Sequence, residues 1–312
     1  MCFRVEAPAA DCGNLKEGAT RVKKKFGVFP FVNAIILCAL ALLCLYPMLY
    51  VLFASLSHPD LLMKHRGMLF APLGFTLQGY ELTFKNPNIL SSYANTLFYV
   101  GAGTVLNVVV TAMAAYALSR KNLMLGRGIM LIILFTMYFS GGLIPLYLLI
   151  IDLGLYDSRM SVILVGLVST WNLVVMRTAF EGVPESLEES AKIDGAGPMR
   201  IMTNIYLPVT LPMIATITLF YAVGHWNAWF HHMVFLKSRG KYPLQLILRE
   251  ILITNEMSSM TKMVDIGSYS SDRYKLLVRY STIIIATLPI LTVYPFAQRF
   301  FVKGVMIGAI KG

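Results

Sequence analysis

Charged residues are scarce in this chain of 312 residues, and long stretches lack them altogether. Only 14% of the residues are Asp, Glu, Lys or Arg, against about a quarter in an average soluble domain. Six windows contain none of these four types: 26–59, 86–119, 128–151, 160–176, 201–236 and 280–298. The shortest has 17 residues, and a helix needs roughly 17–25 apolar residues to cross the hydrocarbon core. These absences exclude a soluble globular protein. They predict an all-α polytopic protein with six transmembrane helices, located in the cell (inner) membrane.

Other missing features exclude further classes of protein. Four cysteines are too few for a disulfide-rich secreted scaffold. The net charge of +11 does not require a nucleic-acid partner, because membrane proteins retain Lys and Arg on their cytoplasmic side. No phosphate loop of the form G-x-x-x-x-G-K-[ST], no H-E-x-x-H and no EF-hand spacing occurs. We therefore expect no catalytic residue, no metal site and no cofactor in this chain.

The apolar windows also lack an energy source of their own. Proton- and voltage-driven machines normally carry carboxylates, Lys or Arg inside their spans, and these windows have none. This disfavours an ion-coupled secondary transporter, which stays as the alternative interpretation. A membrane-embedded enzyme is disfavoured because no paired polar residues recur inside the windows. The pattern favours a transporter whose partner supplies the energy.

The distribution of basic residues predicts the orientation. Lys23, Lys24 and Lys25 precede the first window, so the N-terminus should be cytoplasmic. Six crossings then return the C-terminus to the same side. We expect a cytoplasmic basic tail over 1–25, a six-helix permease domain over 26–302 and a cytoplasmic C-terminal tail over 303–312. In the fifth window we expect a helix over about 207–226, followed by an interfacial aromatic belt made of Tyr221, Trp226, Trp229 and Phe230.

The inside loop 177–200 predicts a short exposed helix between two spans. Pro184 should occupy its first position, where a missing N–H costs nothing. Glu185, Glu188 and Glu189 would lie near the positive end of its dipole. Gly195 should end the helix, because a C-terminal cap favours a residue that tolerates positive φ. An ordinary solvated loop helix is the plainer interpretation of the same residues.

A resemblance favours a specific role for this helix. The segment "EESAKIDGAGPMRIMTNIYLPVTLP" resembles the EAA loop of the permease subunits of bacterial ABC importers. The matching positions are Glu189-Ser190-Ala191, Asp194-Gly195-Ala196, Ile205 and Leu207-Pro208. Ser190 departs from the usual Ala, but it is also small. The segments "FSGGLIPLYLLI" (139–150), "GHWNAWF" (224–230) and "FVKGVMIGAIKG" (301–312) resemble the sugar-importing, maltose-permease-like branch, in particular the subset that handles complex oligosaccharides. The overall pattern is similar to that of alginate-importer permeases.

This resemblance implies an ABC type I importer permease fold with a coupling loop over 181–212. It also implies four partners: a second permease subunit, an ATPase dimer that carries ATP and Mg, an extracytoplasmic solute-binding protein, and membrane lipid. The residues expected to contact the ATPase are Glu188, Glu189, Ser190, Ala191, Asp194, Gly195 and Ala196.

The expected substrate is an oligo- or polysaccharide, which would pass Tyr138, Gly142, Trp226, Asn227 and Trp229. The outer loop 237–279 has eight basic residues against four acidic ones. A rim formed by Lys237, Arg239 and Lys241 would steer an anionic, alginate-type chain, because a cleft of one sign raises the local concentration of its ligand. Contact with an acidic binding protein, or simply with solvent, would explain these residues equally well.

Overall fold

The computed structural model describes residues 28–253 and 272–309, and these residues are helical apart from their connections. The predicted basic tail 1–25 lies outside the described residues. The chain divides into two compact units with the boundary after Met48, and every contact discussed below lies within the second unit. One isolated β-bridge joins Ser57 to Phe75. The all-α prediction is confirmed.

The helices are numbered in chain order. The first eight are α1 (Val28–Ser55), α2 (Pro59–Lys64), α3 (Gln78–Lys85), α4 (Pro87–Phe98), α5 (Thr104–Leu118), α6 (Gly126–Tyr138), α7 (Leu143–Asp152) and α8 (Arg159–Leu164). They are followed by α9 (Thr170–Glu181), α10 (Glu185–Ile193), α11 (Pro198–Ile201), α12 (Leu207–Val209), α13 (Leu211–Asn227), α14 (Phe230–Phe235), α15 (Leu244–Ile253) and α16 (Asp272–Ala309). Two π-helical turns, Tyr99–Gly103 and Met202–Tyr206, join α4 to α5 and α11 to α12.

Several predicted spans are bent or broken. Among the described residues, three helices are long and apolar enough to cross a membrane: Phe29–Ser55, Pro87–Leu118 and Lys275–Pro295. Two bent pairs bring the number to as many as five if each pair is counted as one span: α6 with α7, at 111°, and Pro198–Val209 with α13, at 87°. The window 160–176 is divided between α8 and α9. Helix α16 continues to Ala309, so the backbone of the predicted tail 303–312 is helical up to that residue.

Local sequence explains both bends. Gly142, between α6 and α7, has φ +86°, a conformation that costs glycine little and other residues about 1–2 kcal/mol. At the second bend Thr210 precedes Leu211 and Pro212, and α13 begins at Leu211. Proline lacks the N–H that a continuous helix would use and its ring clashes with the preceding turn, so it favours a bend here and a new helix that starts beside it.

One apolar core packs α5, α9 and α13 together and extends to the segment that precedes α12. Its buried members include Ala115, Met176, Phe180, Tyr206 and Ile217. This core fixes the base from which the loop 181–212 projects.

The aromatic belt predicted near the end of α13 is wrong for two of its residues. Tyr221 is only 6% exposed, and its hydroxyl bonds with Thr111 at 2.8 Å and accepts from the Ser169 N–H at 3.0 Å. Trp226 is 7% exposed and donates its indole N–H to the Ala286 carbonyl at 3.2 Å. The hydroxyl of Tyr221 and the indole N–H of Trp226 thus have hydrogen-bond partners inside the bundle, as buried Tyr and Trp side chains usually do.

Candidate functional site

Helix α10 begins and ends largely as its sequence indicates. Pro184 is the cap residue with ψ 131°, so the prediction that it is the first helical residue is wrong by one position, and Glu185 begins the helix. At the other end Gly195 has φ +75°, as predicted. The Gly195 N–H donates to the Lys192 carbonyl at 3.0 Å, and the Ala196 N–H donates to the Ala191 carbonyl at 2.9 Å. These two bonds form a complete Schellman motif, which satisfies the last carbonyls of the helix.

One face of α10 is exposed. Glu189, Ser190 and Asp194 are exposed, together with Gly195. Ile193 is 87% exposed, which is unusual for a large apolar side chain on a short helix. The exposed face thus combines carboxylates with an apolar tip.

The opposite face of α10 is fixed to the bundle through Glu188. Its carboxylate, only 13% exposed, accepts hydrogen bonds from Arg120 and, at 2.7 Å, from the Tyr206 hydroxyl. Lys192, one turn further along the helix, contacts the other carboxylate oxygen at 2.9 Å. Ala191 and Ala196 pack beside this contact against the apolar core. The predicted coupling residues therefore divide between an inward and an outward face.

Arg120 lies between two aromatic rings. Its guanidinium carbon is 4.6 Å from the ring centroid of Tyr116 and 4.3 Å from that of Tyr206. Burial alone would raise the pKa of Glu188, but the hydrogen bonds from Lys192 and Tyr206 and the charge of Arg120 hold it below its usual range. The carboxylate is ionised at neutral pH. The same residues line a cleft of about 760 Å³ between α10 and the end of α5.

Arg120 and Tyr206 were not predicted as site residues. Arg120 follows the end of α5, where the sequence indicates only a cytoplasmic positive charge. Tyr206 stands between Ile205 and Leu207, two positions of the EAA-like pattern, without belonging to it. A tyrosine at that point is the one sequence signal that could have suggested a polar contact.

The predicted pathway residues fall into two groups. Tyr138, at the end of α6, is 79% exposed, and Gly142 begins the turn into α7. At the end of α13, Asn227 is exposed, Trp229 is half-buried and Trp226 is buried as described above. The Arg249 guanidinium lies over the Trp229 ring, 4.5 Å from its centroid.

The predicted basic rim is partly neutralised by acidic neighbours. Lys241 lies 3.1 Å from the Asp157 carboxylate, and Arg239 lies 2.7 Å from Glu250. The backbone N–H of Lys237 donates to Asp157 at 3.0 Å. The part of the loop over 254–271 lies outside the described residues. Two of the three rim cations thus form ion pairs within the chain.

Asp157 organises this turn. It has φ +56°, and its carboxylate accepts hydrogen bonds from the hydroxyl and backbone N–H of Ser238. These bonds, with those from Lys241 and Lys237, hold the pKa of Asp157 well below its usual range. Among residues 28–253 and 272–309, no group of three or more His, Cys, Asp or Glu is placed to hold a metal ion.

Comparison with known proteins was made by sequence and by structure. The family model described as "Binding-protein-dependent transport system inner membrane component" matches residues 34–307. The polygalacturonan/rhamnogalacturonan transport system permease protein YtcP of Bacillus subtilis (strain 168) is 37% identical, over 87% of this chain and 94% of its own length. Protein LplC of the same organism is 35% identical, over 91% of this chain and 95% of its own length.

Two solved structures are similar in fold. A chain of a bacterial ABC transporter involved in the import of the acidic polysaccharide alginate matches with a TM-score of 0.81 and 33% identity, over 88% of this chain and 96% of that one. A chain of a bacterial alginate ABC transporter in complex with an alginate pentasaccharide-bound periplasmic protein matches with a TM-score of 0.55 and 13% identity. The second likeness concerns the fold alone.

Proposed function

The chain belongs to the family of binding-protein-dependent transport system inner membrane components, and from this premise we propose how it takes part in transport. It is a multi-pass permease subunit of an ABC importer for sugars or polysaccharides, with the ABC type I permease fold. In our proposal it forms half of the translocation pathway beside a second permease subunit, with both termini cytoplasmic. A separate ATPase dimer holds ATP and Mg and binds α10, and an extracytoplasmic solute-binding protein delivers the substrate.

The observation that carries the coupling proposal is the two-sided character of α10. Its outward face presents Glu189, Asp194 and the 87% exposed Ile193. Its inward face is bound to the bundle through Glu188. A helix that only covered the loop would bury its apolar residues and expose its charged ones. This helix does the reverse at Ile193 and Glu188, as expected for a helix that inserts into a partner.

The loop contains a matched pair of glycines for the test. A Cβ added at Gly195 or Gly197 would meet no atom within 4 Å, so there is open space beside both backbones. Gly195 has φ +75° and Gly197 has φ −73°, so only Gly195→Val strains the backbone, by about 1–2 kcal/mol. Substrate-stimulated ATP hydrolysis and uptake should fall in Gly195→Val and stay near wild type in Gly197→Val. Full hydrolysis and uptake in both variants would contradict the role of α10.

The break between α6 and α7 supports the predicted pathway residues Tyr138 and Gly142. Residues 139–142 form no helix, although the flanking helices are apolar. Irregular backbone at membrane depth is tolerated only where protein covers it or where it lines a water-filled cavity. Tyr138→Ala should therefore raise the apparent half-saturation for sugar while the assembled complex still hydrolyses ATP. An unchanged half-saturation would place the break outside the pathway.

We further propose that the substrate is an anionic polysaccharide. One similar protein is named for polygalacturonan/rhamnogalacturonan transport, and one similar structure is described as involved in the import of the acidic polysaccharide alginate. In this chain, no carboxylate among the described residues lies within 4.0 Å of the Arg249 guanidinium, which covers the face of Trp229. A guanidinium binds carboxylate in a bidentate manner, and an aromatic ring supports sugar stacking. Lys237 stays in this proposal, whereas Arg239 and Lys241 are engaged with Glu250 and Asp157.

Arg249 and Arg239 form the matched pair that tests the charge of the substrate. Arg249→Gln should raise the apparent half-saturation for uronic oligosaccharides and leave neutral ones unaffected. Arg239→Gln should do neither. Added salt should imitate Arg249→Gln by screening the charge, because the Debye length is about 8 Å at physiological ionic strength. Equal loss with neutral and uronic sugars in Arg249→Gln would remove the support for an anionic substrate.

A further inference from the structure

We infer that Arg120 is a positioning residue that transmits movement of α10 into the membrane bundle through Glu188, while the neighbouring Glu189 serves the ATPase contact. The inference rests on the proposed function of α10 and concerns residues that the EAA-like pattern does not include. Its basis is the closed set of contacts among Arg120, Glu188 and Tyr206.

Among the described residues, the ion pair of Glu188 with Arg120 is more buried than the other ion pair that joins α10 to the segment after α5. The Glu188 side chain is 13% exposed and that of Arg120 is 22% exposed. The other ion pair between the same two segments joins Lys121 to Glu185, with side chains 79% and 58% exposed. Exposed pairs are screened and lose side-chain entropy on forming, whereas buried pairs are screened much less. Movement of α10 should therefore pass through Glu188.

Arg120 is held rigidly where it receives that movement. The Nε atom donates to the Tyr116 carbonyl at 3.2 Å, and Nη2 donates to the Ser119 hydroxyl at 2.8 Å. Nη1 donates to the Tyr206 hydroxyl at 2.6 Å and also to Glu188. With rings on both sides and donors engaged along three directions, the guanidinium has little freedom to turn. A lysine ammonium could not occupy this position equivalently, because it lacks the planar fork that fits the carboxylate and the rings together.

The link continues from Arg120 into two membrane helices. Arg120 lies two residues beyond the end of α5, and Tyr206 ends the π-helical turn that leads through α12 to α13. Arg177 of α9 donates to the Leu118 carbonyl at the end of α5, at 3.0 Å. A displacement of Glu188 thus acts on α5 directly and on α13 through Tyr206. Both helices belong to the core that α9 shares.

Under this inference the adjacent residues Glu188 and Glu189 have different roles. Glu188 faces the bundle, and Glu189 is exposed to the partner side. Loss of Glu188 or Arg120 should leave the ATPase attached but uncouple its hydrolysis from uptake. Loss of Glu189 should instead weaken retention of the ATPase. A purely structural Glu188 would lower assembly, hydrolysis and uptake in parallel.

The test uses the complete transporter in proteoliposomes and measures three quantities: retention of the ATPase, substrate-stimulated hydrolysis, and sugar taken up per ATP hydrolysed. Arg120→Lys and Glu188→Gln should retain the ATPase and lower uptake per ATP at least fivefold. Lys121→Gln, which removes the exposed neighbouring pair, is the matched control and should behave as wild type. Wild-type uptake per ATP in both Arg120→Lys and Glu188→Gln would overturn the inference.

A double variant separates uncoupling from misfolding. Arg120→Gln with Glu188→Gln leaves no unpaired buried charge, so the complex should assemble and bind the ATPase while remaining uncoupled. Assembly of this variant with wild-type coupling would equally overturn the inference. Failure of the underlying proposal gives a different result: Glu189→Gln and Gly195→Val would then leave both ATPase retention and hydrolysis unchanged, whatever the Arg120 variants do.

Discussion

Two loops of this permease are each held by one carboxylate, but the two carboxylates are bound by different kinds of donor. Glu188 is bound by side chains from two separate segments, Arg120 and Tyr206, and by Lys192 one turn along its own helix. The donors to Asp157 come mainly from one short turn: the backbone N–H of Lys237 and the backbone N–H and hydroxyl of Ser238.

The difference determines what each carboxylate fixes. Because side chains of other segments hold Glu188, it sets the position of a whole helix and leaves the outer face of that helix free. Because backbone amides hold Asp157, it sets the shape of the turn 237–241 and places Lys241 as a counter-ion. A transmitted movement suits the first arrangement, and a rigid turn suits the second. The following predictions test this contrast, starting with the largest expected effect.

We expect the largest loss of stability when Glu188 loses its contact with Arg120. Arg120→Ala removes one of the two cations that contact a carboxylate only 13% exposed. Because Lys192 and Tyr206 stay in contact with it, the expected loss is at most the roughly 3 kcal/mol of a buried pair broken from one side. We expect that loss in unfolding measurements on the purified complex. If Arg120→Ala were no more destabilising than Lys241→Ala, the two carboxylates would not differ in the way described.

Replacing the carboxylate of Asp157 should also lower the stability of the fold. Asp157→Ala leaves the Ser238 and Lys237 amides without their acceptor and places alanine at φ +56°. The expected loss is about 2 kcal/mol, from the lost hydrogen bonds and the backbone strain. Asp157→Asn keeps an acceptor and tolerates this conformation, so it is the control and should lose less. Equal unfolding temperatures for the two variants would contradict the backbone clamp.

Acidification should release the same clamp. The pKa of Asp157 is held below its usual range, so its contribution is fully present above its unfolded pKa, about 3.9. That contribution declines as the pH falls from there through the lower folded pKa. Between pH 5 and 3 the wild type should therefore lose more stability than Asp157→Asn, by less than the full effect of Asp157→Ala. If the stabilities of the wild type and of Asp157→Asn fell in parallel as the pH was lowered, the Asp157 carboxylate would not be held in its charged form.

The smallest effect should come from the exposed ion pair of the turn. Arg239 and Glu250 have side chains 43% and 32% exposed, and such pairs contribute about 0–1 kcal/mol. Arg239→Gln should shift the unfolding temperature little, and high salt should abolish the shift. A salt-independent loss above 1 kcal/mol would give this pair a structural role comparable to that of Asp157.

Much of the fold could be predicted because its signals are local. The uncharged windows identified a polytopic helical protein, and the positive φ of Gly195 was expected from its place after an acidic helix. The basic rim stays a prediction; the count of charges along the sequence did not indicate that Lys241 and Arg239 contact Asp157 and Glu250. The windows of uncharged residues also did not indicate the bends at 139–142 and Thr210. Hydropathy reports how long an apolar segment is, but not the direction in which its helix runs.

By itself, the sequence determined the helical membrane class, the family and the C-terminal end of α10, because apolar length, capping glycines and loop motifs act over a few residues. The tertiary structure alone decided which of two adjacent glutamates faces the bundle. Arg120 is 68 residues from Glu188 and 86 from Tyr206 along the chain, and Lys241 is 84 from Asp157. Such pairs form only when packed helices bring separate segments together. The reason is that the interaction of two charged groups depends on their distance in space and on their burial, not on their separation along the chain.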